Sequence, residues 1–304
     1  MHLSIAIVNW NTRELLSNCL ESIFKHPPAF PYNVVVVDNA SSDGSSEMVR
    51  ELFPQVCLID NQENVGFARG NNQALRMTDS KYVLLLNPDT VVQPDAIQTL
   101  VEFMESNPTA GAAGPRVLNP DGTLQTSCYV APTLKHEFFR LFHLSRIYPY
   151  STYKMKNWNT SLTRSVDIIQ GDCLMLRKTA LDQVGLLDES FFIYSEDVDL
   201  CYRLQRASWG LYWVPKSQII HYGGQSTGQV AAEMFLQLYQ SKLMCMRKHH
   251  GKAAGATYKF LLLFAALPRL TLIPLSIFIP TPYRSRHKNL GQNYRRLLSS
   301  LPGM

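Results

Sequence analysis

Asp38, Asp89 and Asp197 are the acids whose neighbours mark them out for chemistry. Asp38 follows four valines at 34–37, so a buried strand would carry its carboxylate to solvent. There it can accept a hydrogen bond from a ligand such as a pyrimidine imide N–H. It can equally form an Asx-turn or cap that opens the loop 39–44. Asn87-Pro88-Asp89-Thr90 follows a second apolar run. A hard cation such as Mg²⁺ or Mn²⁺ takes one or two carboxylates plus substrate phosphate oxygens, which suits Asp89. Ser195-Glu196-Asp197-Val198-Asp199 packs three acids into five residues. Repulsion at a helix start would raise one pKa and make a general base. The alternative is a set of acids that complements the helix dipole. Phe191-Phe192-Ile193-Tyr194 just before them would form an apolar wall beside that base.

His221 ends a strand before Tyr222-Gly223-Gly224. It is either a structural histidine or a contact to a metal or a diphosphate. Asn64-Val-Gly-Phe-Ala-Arg69-Gly-Asn-Asn72 enters a helix. Its glycines permit close approach, and Arg69 can face a diphosphate at the helix N-terminus. The segment fits neither the dinucleotide-binding glycine pattern nor a P-loop.

Alternating strands and helices must position these groups. Short apolar runs predict strands at 3–8, 33–37, 56–59 and 82–86. Between them, periodic stretches predict helices after Asn11, near 46–52 and over 68–77, and a further helix follows Pro94. That pattern predicts an α/β fold with a mostly parallel sheet flanked by helices. Asn9, Asn11, Asp38 and Asp89 then fall at the carboxyl ends of strands, the edge where open α/β sheets bind ligands. Further on, Asn119-Pro-Asp-Gly122 reads as a hairpin turn, and 130–165 as an irregular aromatic and basic loop. Strands are expected at 166–169, 173–176, 211–214 and 218–221, with helices from 179 to Gly185 and from 195 to about 207. A long helix over 230–248 would end at Gly251. The expected division is 1–228 as the catalytic domain and 229–304 as a C-terminal helical region. Within the first, 1–115 would be the nucleotide-binding half and 116–228 the acceptor half.

A net charge of +5 excludes a dedicated nucleic-acid binder. None of the six cysteines forms a CxxC pair, which argues against a zinc knuckle or a redox dithiol. No basic and apolar leader precedes the first strand, which favours the cytoplasm. Residues 259–279 are strongly apolar but interrupted by Pro268, Arg269 and Pro274. Arg284, Arg286, His287, Lys288, Arg295 and Arg296 follow without an acid between them. A broken helix lying in the membrane interface fits best, with a full span or two ordinary core helices as alternatives.

Four motifs taken together resemble inverting glycosyltransferase family 2. They are Val-Asp38-Asn-Ala-Ser-Ser-Asp43-Gly-Ser, the Asn64–Asn72 segment, Leu-Asn87-Pro-Asp89-Thr and Glu196-Asp197-Val-Asp-Leu-Cys-Tyr-Arg203. Their order and spacing fit over roughly 3–227, and in detail they are most similar to bacterial rhamnosyltransferases of polysaccharide and O-antigen assembly. The resemblance implies a GT-A fold and Mg²⁺ or Mn²⁺. By it, Asp38, Asn9 and Asn11 hold the nucleobase and Arg69 faces the nucleotide. Asp89 is the remaining acid of an Asp-x-Asp metal motif, with Asn87 standing where many members have the first aspartate. His221 is a further metal or diphosphate contact, and Asp197 is the general base. The donor it implies is a nucleoside-diphosphate sugar, dTDP-L-rhamnose first and UDP- or GDP-sugars after it. The implied acceptor is a polyprenyl-diphosphate-linked saccharide, reached by a peripheral enzyme on the inner face of the cell membrane.

Three other readings are weaker. A sugar-nucleotide pyrophosphorylase would have a glycine-rich loop after the first strand, where this chain has Asn9-Trp10-Asn11-Thr12. A processive synthase would carry Gln-x-x-Arg-Trp, but Gln205-Arg206-Ala-Ser-Trp209 misplaces the arginine. A silent sugar-nucleotide-binding scaffold would not need Asp89 and Asp197 together.

Overall fold

The computed structural model describes residues 1–271 and 281–304, with side chains omitted at 281–288. The chain divides into two compact units, one of Met1–Ala131 with Lys154–Gln229 and one of Pro132–Tyr153 with Val230–Met304.

The larger unit opens as the apolar periodicity predicts. β1 (Leu3–Asn9), α1 (Arg13–Lys25), β2 (Tyr32–Asn39), α2 (Ser45–Leu52), β3 (Cys57–Asn61), α3 (Phe67–Arg76), β4 (Tyr82–Leu86), β5 (Thr90–Val92) and α4 (Ala96–Ser106) follow in order. All seven residues of β1 are buried, which explains its continuous apolar run. Leu16, Leu20 and Ile23 of α1 are fully buried against the sheet. Burial of each such side chain stabilises the fold by about 1.5–3 kcal/mol. β6 (Ala110–Leu118), β7 (Cys128–Tyr129) and, after residues that belong to the second unit, β8 (Arg164–Ser165), β9 (Ile168–Ile169), β10 (Cys173–Arg177) and β11 (Gly210–His221) complete the strands.

Among the described residues the main sheet runs β3-β2-β1-β4-β10-β6-β11-β5, with β8 beside β11. The expected parallel order holds from β3 to β4. The other half is mixed, because β10 is antiparallel to both β4 and β6, and β5 is antiparallel to β11. The two strands expected at 211–214 and 218–221 are one strand. Residues 215–217 are absorbed as an irregularity between Val214 and Gln218 in its pairing with β6.

The reversal at β10 matters for the site. Cys173 pairs with Leu86, so the start of β10 lies beside the end of β4. Residues just before Cys173 therefore reach the edge where β1, β2 and β4 end.

In the smaller unit, α5 (Leu134–Leu141) lies inside the stretch expected to be irregular. It begins with Thr133, whose hydroxyl accepts the His136 N–H. Residues 132–153 thus belong with the C-terminal helices and not, as expected, with the catalytic half. Leu134 and Leu141 pack against a core that contains Leu243, Tyr258, Leu262, Ala266 and Leu297. These come from α8 (Ala231–Thr271) and α9 (Thr281–Ser300), after α6 (Lys178–Val184) and α7 (Glu196–Arg206) of the larger unit. Gly251 breaks α8 with φ +88°, a left-handed angle that glycine adopts without cost, at the position expected to end the helix. Glu137 is buried here and fully occupied. It meets the Arg140 guanidinium, Lys242 Nζ at 3.6 Å and the Tyr258 hydroxyl at 3.3 Å.

No helix among the described residues is long and apolar enough to cross a membrane. The described part of the apolar segment, 259–271, lies in α8. One face enters the core through Leu262, Ala265 and Ala266, while Phe260, Phe264 and Leu267 are exposed. Residues 272–279 of that segment, and the side chains of Arg284, Arg286, His287 and Lys288, lie outside the described residues.

Candidate active site

The β1 and β2 ends are laced together. Parallel pairing sets Asn9 beside Asp38. Asn9 Nδ2 donates to Asp38 Oδ2 at 2.8 Å, and the Ser41 N–H donates to Asp38 Oδ1 at 2.7 Å. The turn and the strand-edge position are therefore both realised by Asp38. Thr12 Oγ1 donates to Asn9 Oδ1, and Asn11, at φ +51°, accepts the Ser42 N–H. Asn9, Asn11 and Asp38 thus form one hydrogen-bonded network, in which Asp38 and Asn9 are buried. Asn11 also lines an open pocket with Arg13, Asp43 and Gln229.

A second cluster forms where four segments meet. Antiparallel pairing sets Thr90 opposite His221. Asp89 consequently faces the histidine, with His221 Nε2 3.2 Å from Asp89 Oδ1. The Asn87 N–H donates to the Asp172 carbonyl at 2.9 Å, so Asp172 enters beside them. Its Oδ2 lies 3.4 Å from His221 Nδ1. Asp197 closes the cluster, its Oδ2 accepting the Gly171 N–H at 3.1 Å. Asn87 Oδ1, Asp172 Oδ2 and His221 Nε2 are buried and have no hydrogen-bond partner. Buried orphans of this kind are rare and call for a ligand or a proton.

The acids of Ser195–Asp199 separate into three roles. Asp199 accepts from Arg203 Nε at 2.8 Å, while the same guanidinium donates to the Val184, Gly185 and Leu186 carbonyls. It fastens α7 to the end of α6. Glu196 is buried, and burial pushes its pKa far above the carboxylate range, with Asp197 adding to the rise. Asp197 turns toward the cluster. Its pKa is raised by burial, against the Val198 and Gly171 N–H groups that favour the charged form. Burial is thus the first cause, where repulsion was expected. Tyr194 and Ser195, at φ +69° and +68°, aim the turn that presents it. Burial also raises Asp172 to about 6, against His221 and the Cys173 N–H, with Asp197 and Asp89 adding to the rise. His221 is raised on balance. Burial lowers it most among single causes, and the two carboxylates beside it more than offset that.

The Asn64–Asn72 segment makes its hydrogen bonds to the loop before Asp197. Phe67 N–H donates to the Phe192 carbonyl at 2.7 Å, and Asn72 exchanges hydrogen bonds with Leu187. At Gly66, φ +85°, any Cβ would stand 2.6 Å from Phe192. The segment therefore clamps the loop that leads to Asp197. Arg69 is exposed, and Glu189 lies within its electrostatic reach. Arg69 is not drawn into the carboxylate cluster.

Asp172 is the residue that sequence reasoning missed. Only its place after Gly171 and before an apolar run gave a signal, and strand direction is not readable from that run. Asp89 and His221 could hold a divalent cation between them. Two ligands at right angles with bonds of about 2.1 Å stand about 3.0 Å apart, close to the separation of Asp89 Oδ1 and His221 Nε2. No three acid, histidine or cysteine side chains among the described residues converge into a ready cage. Two protein ligands completed by substrate phosphate is a usual arrangement for Mg²⁺.

Comparison with known proteins gives the family. Residues 4–185 match the family model described as "Glycosyl transferase family 2". The chain is 30% identical over 236 residues to the N-acetylglucosaminyl-diphospho-decaprenol L-rhamnosyltransferase of Mycobacterium tuberculosis, covering 72% of this chain and 76% of that one. It is 26% identical over 227 residues to the rhamnosyltransferase WbbL of Escherichia coli K12, covering 72% and 82%. The structure is similar to that of a mannosyltransferase from Pyrobaculum calidifontis in complex with GDP-Man and Mn²⁺. The TM-score is 0.58 at 18% identity, over 99% of this chain and 86% of the other. That likeness concerns the fold, of the GT-A kind. The chain belongs to glycosyl transferase family 2 and is a glycosyltransferase.

Proposed function

We propose that this enzyme moves a single L-rhamnose from dTDP-L-rhamnose to a hydroxyl of a polyprenyl-diphosphate-linked saccharide, with inversion. The convergence of Asp89, His221 and Asp197 on one sheet edge carries the reading. The activities of the mycobacterial and Escherichia coli relatives support the sugar, and that of the mycobacterial one supports the lipid-linked acceptor. In this reading Asp197 accepts the proton of the attacking hydroxyl. Asp89 and His221 would hold Mg²⁺ or Mn²⁺, which when bound supplies positive charge for the departing diphosphate. Asn9, Asn11 and Asp38 would form the nucleobase wall, and exposed Arg69 would meet the nucleotide. A single displacement needs no second carboxylate nucleophile. A donor screen that scores released nucleoside diphosphate tests this. The largest kcat/KM is expected with dTDP-L-rhamnose, and a clear preference for a UDP- or GDP-sugar would replace the donor.

The exposed stripe Phe260, Phe264 and Leu267 supports action at the cytoplasmic membrane surface. Exposed Arg295 and Arg296 add charge for anionic lipid, worth about 1 kcal/mol each near the surface. Flotation of the full chain with phosphatidylglycerol vesicles should fall for the Arg295→Glu, Arg296→Glu pair and for Phe260→Ser, Phe264→Ser. Equal flotation of all three proteins would remove the membrane reading.

A further inference from the structure

His221 sits between two acceptors and a carboxylate, and the surrounding hydrogen bonds decide which ring nitrogen holds its proton. Gln125 Nε2 faces the His221 main-chain carbonyl at 3.2 Å and Asn119 Oδ1 at 2.8 Å. A main-chain carbonyl only accepts, so the amide cannot be turned round. Its other end, Oε1, therefore meets His221 Nδ1 as an acceptor at 2.6 Å. Asp172 Oδ2, buried and without a hydrogen-bond partner, lies 3.4 Å from the same nitrogen. Both groups require the proton on Nδ1. In the neutral ring Nε2 is then left with its lone pair directed at the Asp89 side, 3.2 Å from Oδ1. Two lone pairs at that distance repel, and either a second proton on Nε2, which the neighbouring carboxylates favour, or a divalent cation in its place relieves them.

We infer that Gln125 and Asp172 are positioning residues, which hold His221 as the Nδ1–H form so that Nε2 and Asp89 Oδ1 together receive a divalent cation. The inference rests on the reading of Asp89 and His221 as metal ligands. Asp172 does more than orient the ring. It enters the cluster beside Asn87, which is neutral, and brings a second negative charge close to the cation. Ligating histidines commonly donate their other N–H to a carboxylate or carbonyl, and loss of such a partner costs about 10–100-fold in metal affinity. Here one partner is an amide oxygen and the other a carboxylate held in reserve behind it.

The test is direct Mn²⁺ binding by the purified full chain, followed by calorimetry and by loss of the free-ion electron-spin signal. Asp172→Asn and Gln125→Leu should each weaken Mn²⁺ by about 10–100-fold. The ¹⁵N spectrum of the Mg²⁺-loaded wild-type protein should show His221 with Nδ1 protonated and Nε2 bearing no proton. In Gln125→Leu that pattern should give way to a mixture of tautomers, which a merely structural role would not produce. Gln125→Glu keeps an oxygen toward Nδ1 but sets its second oxygen against the two acceptors that the Gln125 Nε2 serves, so it should hold the Nδ1 proton while binding Mn²⁺ less tightly than wild type. Wild-type affinity in both weakened variants, or a proton on Nε2 in the loaded wild type, would overturn the inference. Absence of Mn²⁺ binding by the wild type would instead overturn the metal reading beneath it. If Asp172→Asn does not fold, the half-buried position of Gln125 lets its two variants decide.

Discussion

Glu137 in the helical unit and Asp172 in the sheet unit are both 1% exposed, yet their surroundings differ in kind. Glu137 is met by the Arg140 guanidinium, by the Lys242 amine, whose pKa burial lowers to about 7, and by the Tyr258 phenol. Each of its oxygens has a partner, and together these contacts hold α5 against α8. Asp172 shares its hollow with Asp89 and Asp197, and one of its oxygens is unpartnered. Neighbouring Asn87 Oδ1 and His221 Nε2 are also orphaned. Leaving a buried polar group unmade costs about 1–3 kcal/mol. A saturated buried acid is thus a fastening, whereas unsaturated ones still have hydrogen-bonding capacity to give. The helical unit spends its ionic groups on its own stability; the sheet edge keeps them for a ligand.

The sharpest test of that contrast is catalytic. Asp197→Asn should keep sugar-nucleotide binding and lose about 10²–10⁴-fold in turnover, the usual contribution of a positioned base. Released nucleoside diphosphate measures it, and a near-wild-type rate would end the assignment. Next in size is Glu137→Leu. Removing the buried carboxylate takes away the Lys242 contact and the Tyr258 hydrogen bond and should destabilise the chain by about 1–3 kcal/mol, seen as a lower denaturant midpoint. A stability equal to wild type would make the helical cluster ornamental. Asp172→Asn should do the opposite in metal-free protein. It removes a buried charge next to two like charges, and the protein should gain about 1 kcal/mol or more. Destabilisation there would dissolve the comparison.

The smallest effect is on the pH profile. Asp197 must be ionised to take a proton, and burial raises its pKa from the ordinary 3.8. The acid limb of kcat/KM should therefore fall off at a higher pH than an ordinary aspartate gives, with activity present above that pKa and lost below it. Val198→Pro removes the N–H that Asp197 Oδ1 accepts at 2.7 Å, and should push the limb higher still.

Much of this edge was legible in the residues. The four valines before Asp38, the apolar run before Asn87 and the acid-rich start of α7 each put a carboxylate where the structure has one. Gly251 was legible as a helix end. The irregular reading of 130–165 failed over α5, because its leucines, Leu134 and Leu141, are covered only by the core of α8 and α9. Arg69 and its flanking asparagines looked like a diphosphate loop, but Asn72 and Phe67 spend their hydrogen bonds on the loop before Asp197.

Local order came from the sequence itself: which runs are strands, which helices, and which polar residue ends each one. Those are matters of period and of burying an apolar face, and they act over a few residues. Tertiary structure alone decided the direction of β10. That direction carries Asp172 to the edge where β4 ends and turns three separated acids into one site, while the return of the chain along β6 sets Gln125 behind His221. An apolar run buried on both faces reads the same in either direction, so the residues of β10 could not announce which end would meet Asp89.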